Sequence, residues 1–204
     1  MSLLQKLTAK PWEHAGEMEG LHGETVLTRS ASGTGLLMFL AVISSLFLLF
    51  MISYYTRSLF PDWEILNDPG ILWVNTVVLI FASIAMQIAS NAARRNAVAA
   101  MRNALLAGAV LTLAFIGGQL MAWDQLIESG FYAQENPAFA FFYLVTGLHA
   151  LHLAGGMWFL GRLGFNMKRE NKREKARISV TLCATYWHYL LLVWLLLFAL
   201  LLRT

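Results

Sequence analysis

Charge is scarce in this chain. Lys, Arg, Asp and Glu make up 13% of its 204 residues, against 58% hydrophobic residues. Ordinary soluble domains carry roughly a quarter charged residues, so a soluble globular fold is excluded. Cysteine occurs once, at Cys183. That excludes an internal disulfide, a dithiol centre and multi-thiolate metal ligation. The four prolines, Pro11, Pro61, Pro69 and Pro137, all fall outside the long apolar runs. No Gly-rich phosphate loop, CxxC or CxxCH motif is present. The alternation of a membrane strand is also missing, which argues against a barrel.

What the chain has is five apolar runs, approximately Gly33–Tyr55, Ile71–Ala92, Asn103–Trp123, Phe139–Leu163 and Ser179–Leu202. Each is near the ~20 residues needed to cross ~30 Å of hydrocarbon. The expected fold is all-α: an integral membrane bundle of five transmembrane helices. Residues 1–32 read as a polar cytoplasmic N-terminal arm, with a short interfacial helix around Leu3, Leu4 and Leu7, and residues 33–204 as the membrane domain. The arm has no continuous apolar core, so the first run is expected to act as the insertion signal.

The basic residues are segregated. Thirteen of the fifteen lie in the N-terminal arm, between runs two and three, or at and after the end of run four. Only Arg57 and Arg203 fall on the other side. Basic loops stay in the cytoplasm, so the N-terminus is expected inside and the C-terminus outside. The Lys168–Arg177 cluster directly follows a membrane run. It reads as a topology determinant touching anionic lipid, with no nucleic acid involved.

Small and polar residues mark the inward faces. Asn75, Ala82, Met86 and Ala89 line up on the second helix. Gly108, Thr112, Phe115, Gln119 and Ala122 form a stripe on the third, and Phe142, Thr146, His149 and Gly156 one on the fourth, with His152 at its edge. Small residues let helix backbones approach, and Thr, Gln and His bond across the contact. Trp63, Trp73, Trp123 and Trp194 fall near the predicted ends and read as interfacial anchors.

Pumps and transporters place ionisable groups along their path. The centres of these runs carry no Asp, Glu, Lys or Arg, so a self-contained transporter is not expected. Ser44 and Ser45 have no adjacent base, and serines there usually bond backbone carbonyls. His149 and His152 share a helix face, and imidazole is a common metal ligand. With His188 they are only three, too few for a haem–copper centre, and no deep carboxylate completes a mixed site. These imidazoles are expected to hydrogen-bond to neighbouring helices, to a partner subunit or to lipid oxygens.

Four segments carry a family resemblance. Phe142-Tyr143-Leu144-Val145-Thr146-Gly147-Leu148-His149-Ala150-Leu151-His152-Leu153-Ala154-Gly155-Gly156 resembles subunit III of haem–copper terminal oxidases. So does Tyr186-Trp187-His188-Tyr189 with Val193-Trp194 and Phe198. Asn75-Thr76-Val77-Val78-Leu79 with Ala82-Ser83 is similar to one of the family's earlier core helices, and Phe115-Ile116-Gly117-Gly118-Gln119 with Trp123 to its middle helix. Their order agrees across roughly residues 33–202.

The resemblance implies a cofactor-free companion of catalytic subunit I and subunit II, in the short five-helix form. Haems and copper would belong to those partners, and this chain would have no active site of its own. It implies bound phospholipid, a multi-pass place in the bacterial inner membrane, aerobic electron transport coupled to proton translocation, and membership of a respiratory supercomplex as a further association. His149, His152, His188, Thr146, Gln119, Asn75 and Tyr186 are the residues expected to contact lipid or a partner subunit. The accessory protein of nitric oxide reductases that shares the fold is the alternative. Three positions where family members carry acids hold Ile43, Ala122 and Leu191 here. The resemblance does not extend to whatever those carboxylates do.

Overall fold

The computed structural model describes residues 31–63, 70–167 and 173–203. Five helices account for nearly all of them: α1 (Ala31–Arg57), α2 (Ile71–Arg94), α3 (Val98–Glu128), α4 (Pro137–Met167) and α5 (Arg173–Leu201). No strand occurs among the described residues. All five are long and apolar enough to cross a membrane. Residues 1–30 of the N-terminal arm and residues 168–172 of the Lys168–Arg177 cluster lie outside the described residues.

The helices outrun the apolar stretches. α3 begins at Val98 and ends at Glu128, against an expected Asn103–Trp123, and α4 starts at Pro137. Thirty-one residues at 1.5 Å each span about 46 Å, well beyond the hydrocarbon layer. Hydropathy marks the part that lipid surrounds. The backbone ladder continues past it because ending a helix needs a stop signal. α2 and α3 end on the same one. Asn96 (φ 56°) and Gly130 (φ 87°) adopt the left-handed conformation, which Gly and Asn tolerate best. The next amide of each then bonds five residues back, Ala97 N to Ala92 O and Phe131 N to Leu126 O, both 3.0 Å. This caps two carbonyls at each end.

α2, α3, α4 and α5 form a closed ring of four, each packed on the next and α5 returning to α2. α1 stands apart. No Cα of α1 comes within 8 Å of another helix among the described residues. Its contacts are made by long side chains. Leu40, Ile43, Phe47 and Tyr54 are buried on one face, and most of the rest of the helix is exposed.

The loops at the Arg57 end are tied together. Arg57 pairs with Asp62, and that hydrogen bonding holds the Asp62 carboxyl below its ordinary range. Asn136 Nδ2 donates to Asp62 O at 2.9 Å, and Tyr143 Oη to Phe131 O at 3.0 Å. Trp63 stands edge-on to Tyr54, with ring centroids 4.9 Å apart.

Glycine permits the closest approaches. A methyl group on Gly118 would overlap Asn75 Oδ1 of α2, whereas one on Gly117 would meet nothing within 4 Å. A methyl on Gly156 would lie 2.8 Å from Tyr186 Cε1, whereas Gly155 is open. Overpacking a tight interior costs about 1–3 kcal/mol or more. Gly118→Leu and Gly156→Val are therefore expected to lower the thermal unfolding midpoint sharply in nanodiscs, while Gly117→Leu and Gly155→Val leave it nearly unchanged. Equal effects within either pair would contradict this packing.

Candidate functional site

The four consecutive residues Tyr186-Trp187-His188-Tyr189 sit near the middle of α5. Successive residues of an α-helix are about 100° apart, so four in a row point all the way round. Each meets a different helix. Tyr186 Oη donates to His152 O of α4 at 3.0 Å. Trp187 Nε1 donates to Thr112 Oγ1 of α3 at 2.9 Å, reaching across the ring. His188 Nε2 is 2.9 Å from Gln87 Oε1 of α2, and its Nδ1 bonds Ser83 Oγ. A carbonyl oxygen accepts, so Nε2 carries the proton and Nδ1 accepts from Ser83. Tyr189 Oη lies 2.9 Å from Ser44 Oγ of α1. α5 is thus hydrogen-bonded to every other helix through one short segment.

Two further indoles repeat the pattern. Trp194 Nε1 donates to Thr76 Oγ1 at 2.9 Å, joining α5 to α2. Trp123 Nε1 donates to Thr146 Oγ1 at 3.1 Å, joining α3 to α4. The hydroxyl in each clip serves twice. Thr76, Thr112 and Thr146 donate to the carbonyls of Leu72, Gly108 and Phe142 four residues back, at 2.8, 2.8 and 2.6 Å. Ser44 donates to Leu40 O at 2.8 Å, which leaves its oxygen to accept from Tyr189. A hydroxyl whose proton is committed to its own helix still offers lone pairs to an N–H or O–H from the neighbour.

Trp194 thus corrects an expectation. It is fully buried, stacked parallel to Phe198 and edge-on to Phe115, not an anchor at the interface. Trp123 and Trp63 are also half-buried. Only Trp73 of that set, 56% exposed, faces outward. The signal that could have found the clips was present: three mid-helix threonines on inward stripes need partners, and an indole has one donor to give.

The other expected site residues separate into two groups. Asn75, Gln119, Thr146 and His149 are buried in the bundle. His149 lies among Phe115, Trp194 and Phe47, with ring centroids 5.8, 5.2 and 6.4 Å away. His152 is half-buried beside Phe47, 5.4 Å between centroids, and its Nδ1 bonds Leu148 O of its own helix. His188 is exposed. His188 bonds a neighbouring helix through both ring nitrogens, whereas neither ring nitrogen of His149 has a partner among the described residues. Among those residues no three His, Cys, Asp or Glu side chains gather where they could hold a metal ion.

Ile43 and Ala122 are buried, and Leu191 is half-buried. The first two stand where a carboxylate would be taken out of solvent, and apolar packing replaces it. These features define an all-helical, multi-pass membrane protein whose interior is joined by neutral hydrogen bonds.

Comparison with known proteins is consistent with this class. The profile of the family "Cytochrome c oxidase subunit III" matches residues 5–202. Cytochrome c oxidase subunit 3 of Synechocystis is 28% identical over 191 residues, covering 91% of this chain and 79% of its own length. The Thermostichus vulcanus protein of the same name is 28% identical, with 82% and 84% covered. That of Marchantia polymorpha is 29% identical, with 88% and 70% covered. The chain belongs to the cytochrome c oxidase subunit III family. Membership implies association with other subunits of a haem–copper oxidase.

The clips can be tested by a double-mutant cycle. Trp187→Phe and Thr112→Val each remove one side of a buried bond. Their coupling is expected to be about 0.5–1.5 kcal/mol, the range for hydrogen bonds between membrane helices. Purely additive losses of stability would rule out the bond.

Proposed function

We propose that this chain is the non-catalytic subunit III of a bacterial haem–copper terminal oxidase, packed on the catalytic subunit and holding phospholipid. The family match over nearly the whole chain carries this reading. The helix centres support it, because they carry no Asp, Glu, Lys or Arg of the kind that lines a transport path. Oxygen is reduced to water, and protons are moved, in the partner subunits. The haems and copper belong there, and this chain supplies a rigid flank.

The N-terminus lies in the cytoplasm, since Arg94 and Arg95 cap the α2–α3 turn and the Lys168–Arg177 cluster follows α4 at the same end. The membrane is the bacterial inner membrane, a reading that relatives from bacteria such as Synechocystis support. A wider respiratory supercomplex is compatible with the same role.

Lipid and partner contacts divide by accessibility. His188 faces outward on the α2–α5 surface, next to Gln87 and Asn91, the latter two joined by a hydrogen bond of 3.2 Å. Polar groups exposed at membrane depth are costly unless a partner covers them, so this face contacts protein or lipid headgroup oxygens. His152 and the Tyr186 side chain serve the gap between α1 and the ring. Thr146, Gln119, Asn75 and His149 act from inside, by fixing the helices that carry these surfaces. With Ile43, Ala122 and Leu191 in place of acids, whatever role those carboxylates have in the family is not carried over to this chain.

Gentle solubilisation followed by native mass spectrometry tests the assignment. Copurification with a haem- and copper-bearing chain is expected, and a stable lone monomer would refute it. His188→Leu is expected to lower the retained fraction of this subunit or its lipid several-fold while haem per catalytic subunit stays constant. Unchanged assembly and unchanged lipid would remove His188 from that role.

A further inference from the structure

Six buried side-chain nitrogen or oxygen atoms have no hydrogen-bond partner among the described residues. Five of them belong to three side chains: Asn75 Nδ2, Gln119 Oε1 and Nε2, and His149 Nδ1 and Nε2. The three residues are 3%, 1% and 0% exposed. They come from α2, α3 and α4, three successive members of the ring.

A chain of contacts links them within one region of the ring. Asn75 lies against Gly118, whose chain neighbour is Gln119. Gln119 shares the inward stripe with Phe115 and lies one turn, or about 6 Å along the helix, from both Phe115 and Trp123. Phe115 touches His149, and Trp123 bonds Thr146, one turn from His149 on α4. Trp194 closes the circuit. Its ring faces His149 at 5.2 Å, and its Nε1 bonds Thr76, the residue after Asn75.

We propose that Asn75, Gln119 and His149 form a binding site for ordered water inside the four-helix ring. Unpaired polar groups are not tolerated in a lipid-surrounded interior, and these three side chains supply both donors and acceptors. Two amides and an imidazole carry no fixed charge to balance an ion, and the complete burial of His149 and Thr146 keeps lipid out. The ligand must therefore be small, neutral, and able both to donate and to accept. Buried water makes about three hydrogen bonds, so about two molecules match the five atoms. Water also accommodates either His149 tautomer, donating to one ring nitrogen and accepting from the other.

The test uses the full chain in whatever assembly it is extracted with, so its failure leaves the oxidase reading untouched. A cryo-EM map at a resolution that shows ordered water is expected to hold density at about 2.7–3.2 Å from at least two of the three side chains. In bilayers containing ¹⁵N-histidine-labelled protein, water-edited solid-state NMR is expected to show transfer from water to the His149 ring nitrogens. Gln119→Met, which removes two of the five polar atoms, should cut that transfer at least about twofold. A dry site whose three side chains bond directly to one another overturns the proposal, as does transfer unaffected by Gln119→Met. If that variant fails to fold, the map of the unaltered protein decides.

Discussion

Lipid cannot solvate a backbone carbonyl, an indole N–H or a hydroxyl, so such groups inside this bundle need a partner from the protein or from enclosed water. That constraint organises the structure. A helix satisfies its own backbone, but the side-chain donors of Trp187, Trp194 and Trp123 can be met only by another helix. Each finds a threonine oxygen whose proton already serves the threonine's own backbone. The result is cohesion without charge. Lipid tails are as apolar as leucine, so hydrophobic burial gives little preference for one helix pair over another. Directional bonds supply that preference.

α5 concentrates the effect. A run of four polar-tipped residues uses the rotation of the helix to address four neighbours in turn. Small residues complete the arrangement. Gly156 lets Tyr186 and Trp187 come close to α4, and Gly118 receives Asn75. α1 shows the opposite regime. Its backbone stays away from the ring, and Phe47, Tyr54 and the Ser44–Tyr189 bond bridge the gap. A helix held by long side chains alone is easier to displace than one seated on glycine and alanine, so α1 is the part of the bundle best suited to adjust to lipid or to a neighbouring subunit.

The apolar replacements at Ile43 and Ala122 fit the same logic. A carboxylate at either buried position would need a partner of its own. Here the interior is neutral. Its remaining unpaired groups, on Asn75, Gln119 and His149, are amides and an imidazole, which a neutral ligand can satisfy.

Much of this was legible from the residues in order. The five spans, the inward stripes and the family follow from composition, helical periodicity and four ordered motifs, because hydropathy and 3.6-residue spacing are local properties that lipid reads directly. The full helix lengths were not, since an apolar window ends where water begins while the backbone ladder runs on to a left-handed Asn96 or Gly130. Nor was the fate of each tryptophan. Trp73 and Trp194 look alike in sequence, near the ends of apolar runs, and only their neighbours put one outside and the other in the core. The five membrane-crossing runs and the inward faces of α2, α3 and α4 were readable from the order of the residues. The folded bundle alone reveals which donor meets which acceptor, that four helices close a ring while the first stands off, and that among the described residues His188 is partnered while His149 is not, because those outcomes depend on contacts between residues about a hundred positions apart.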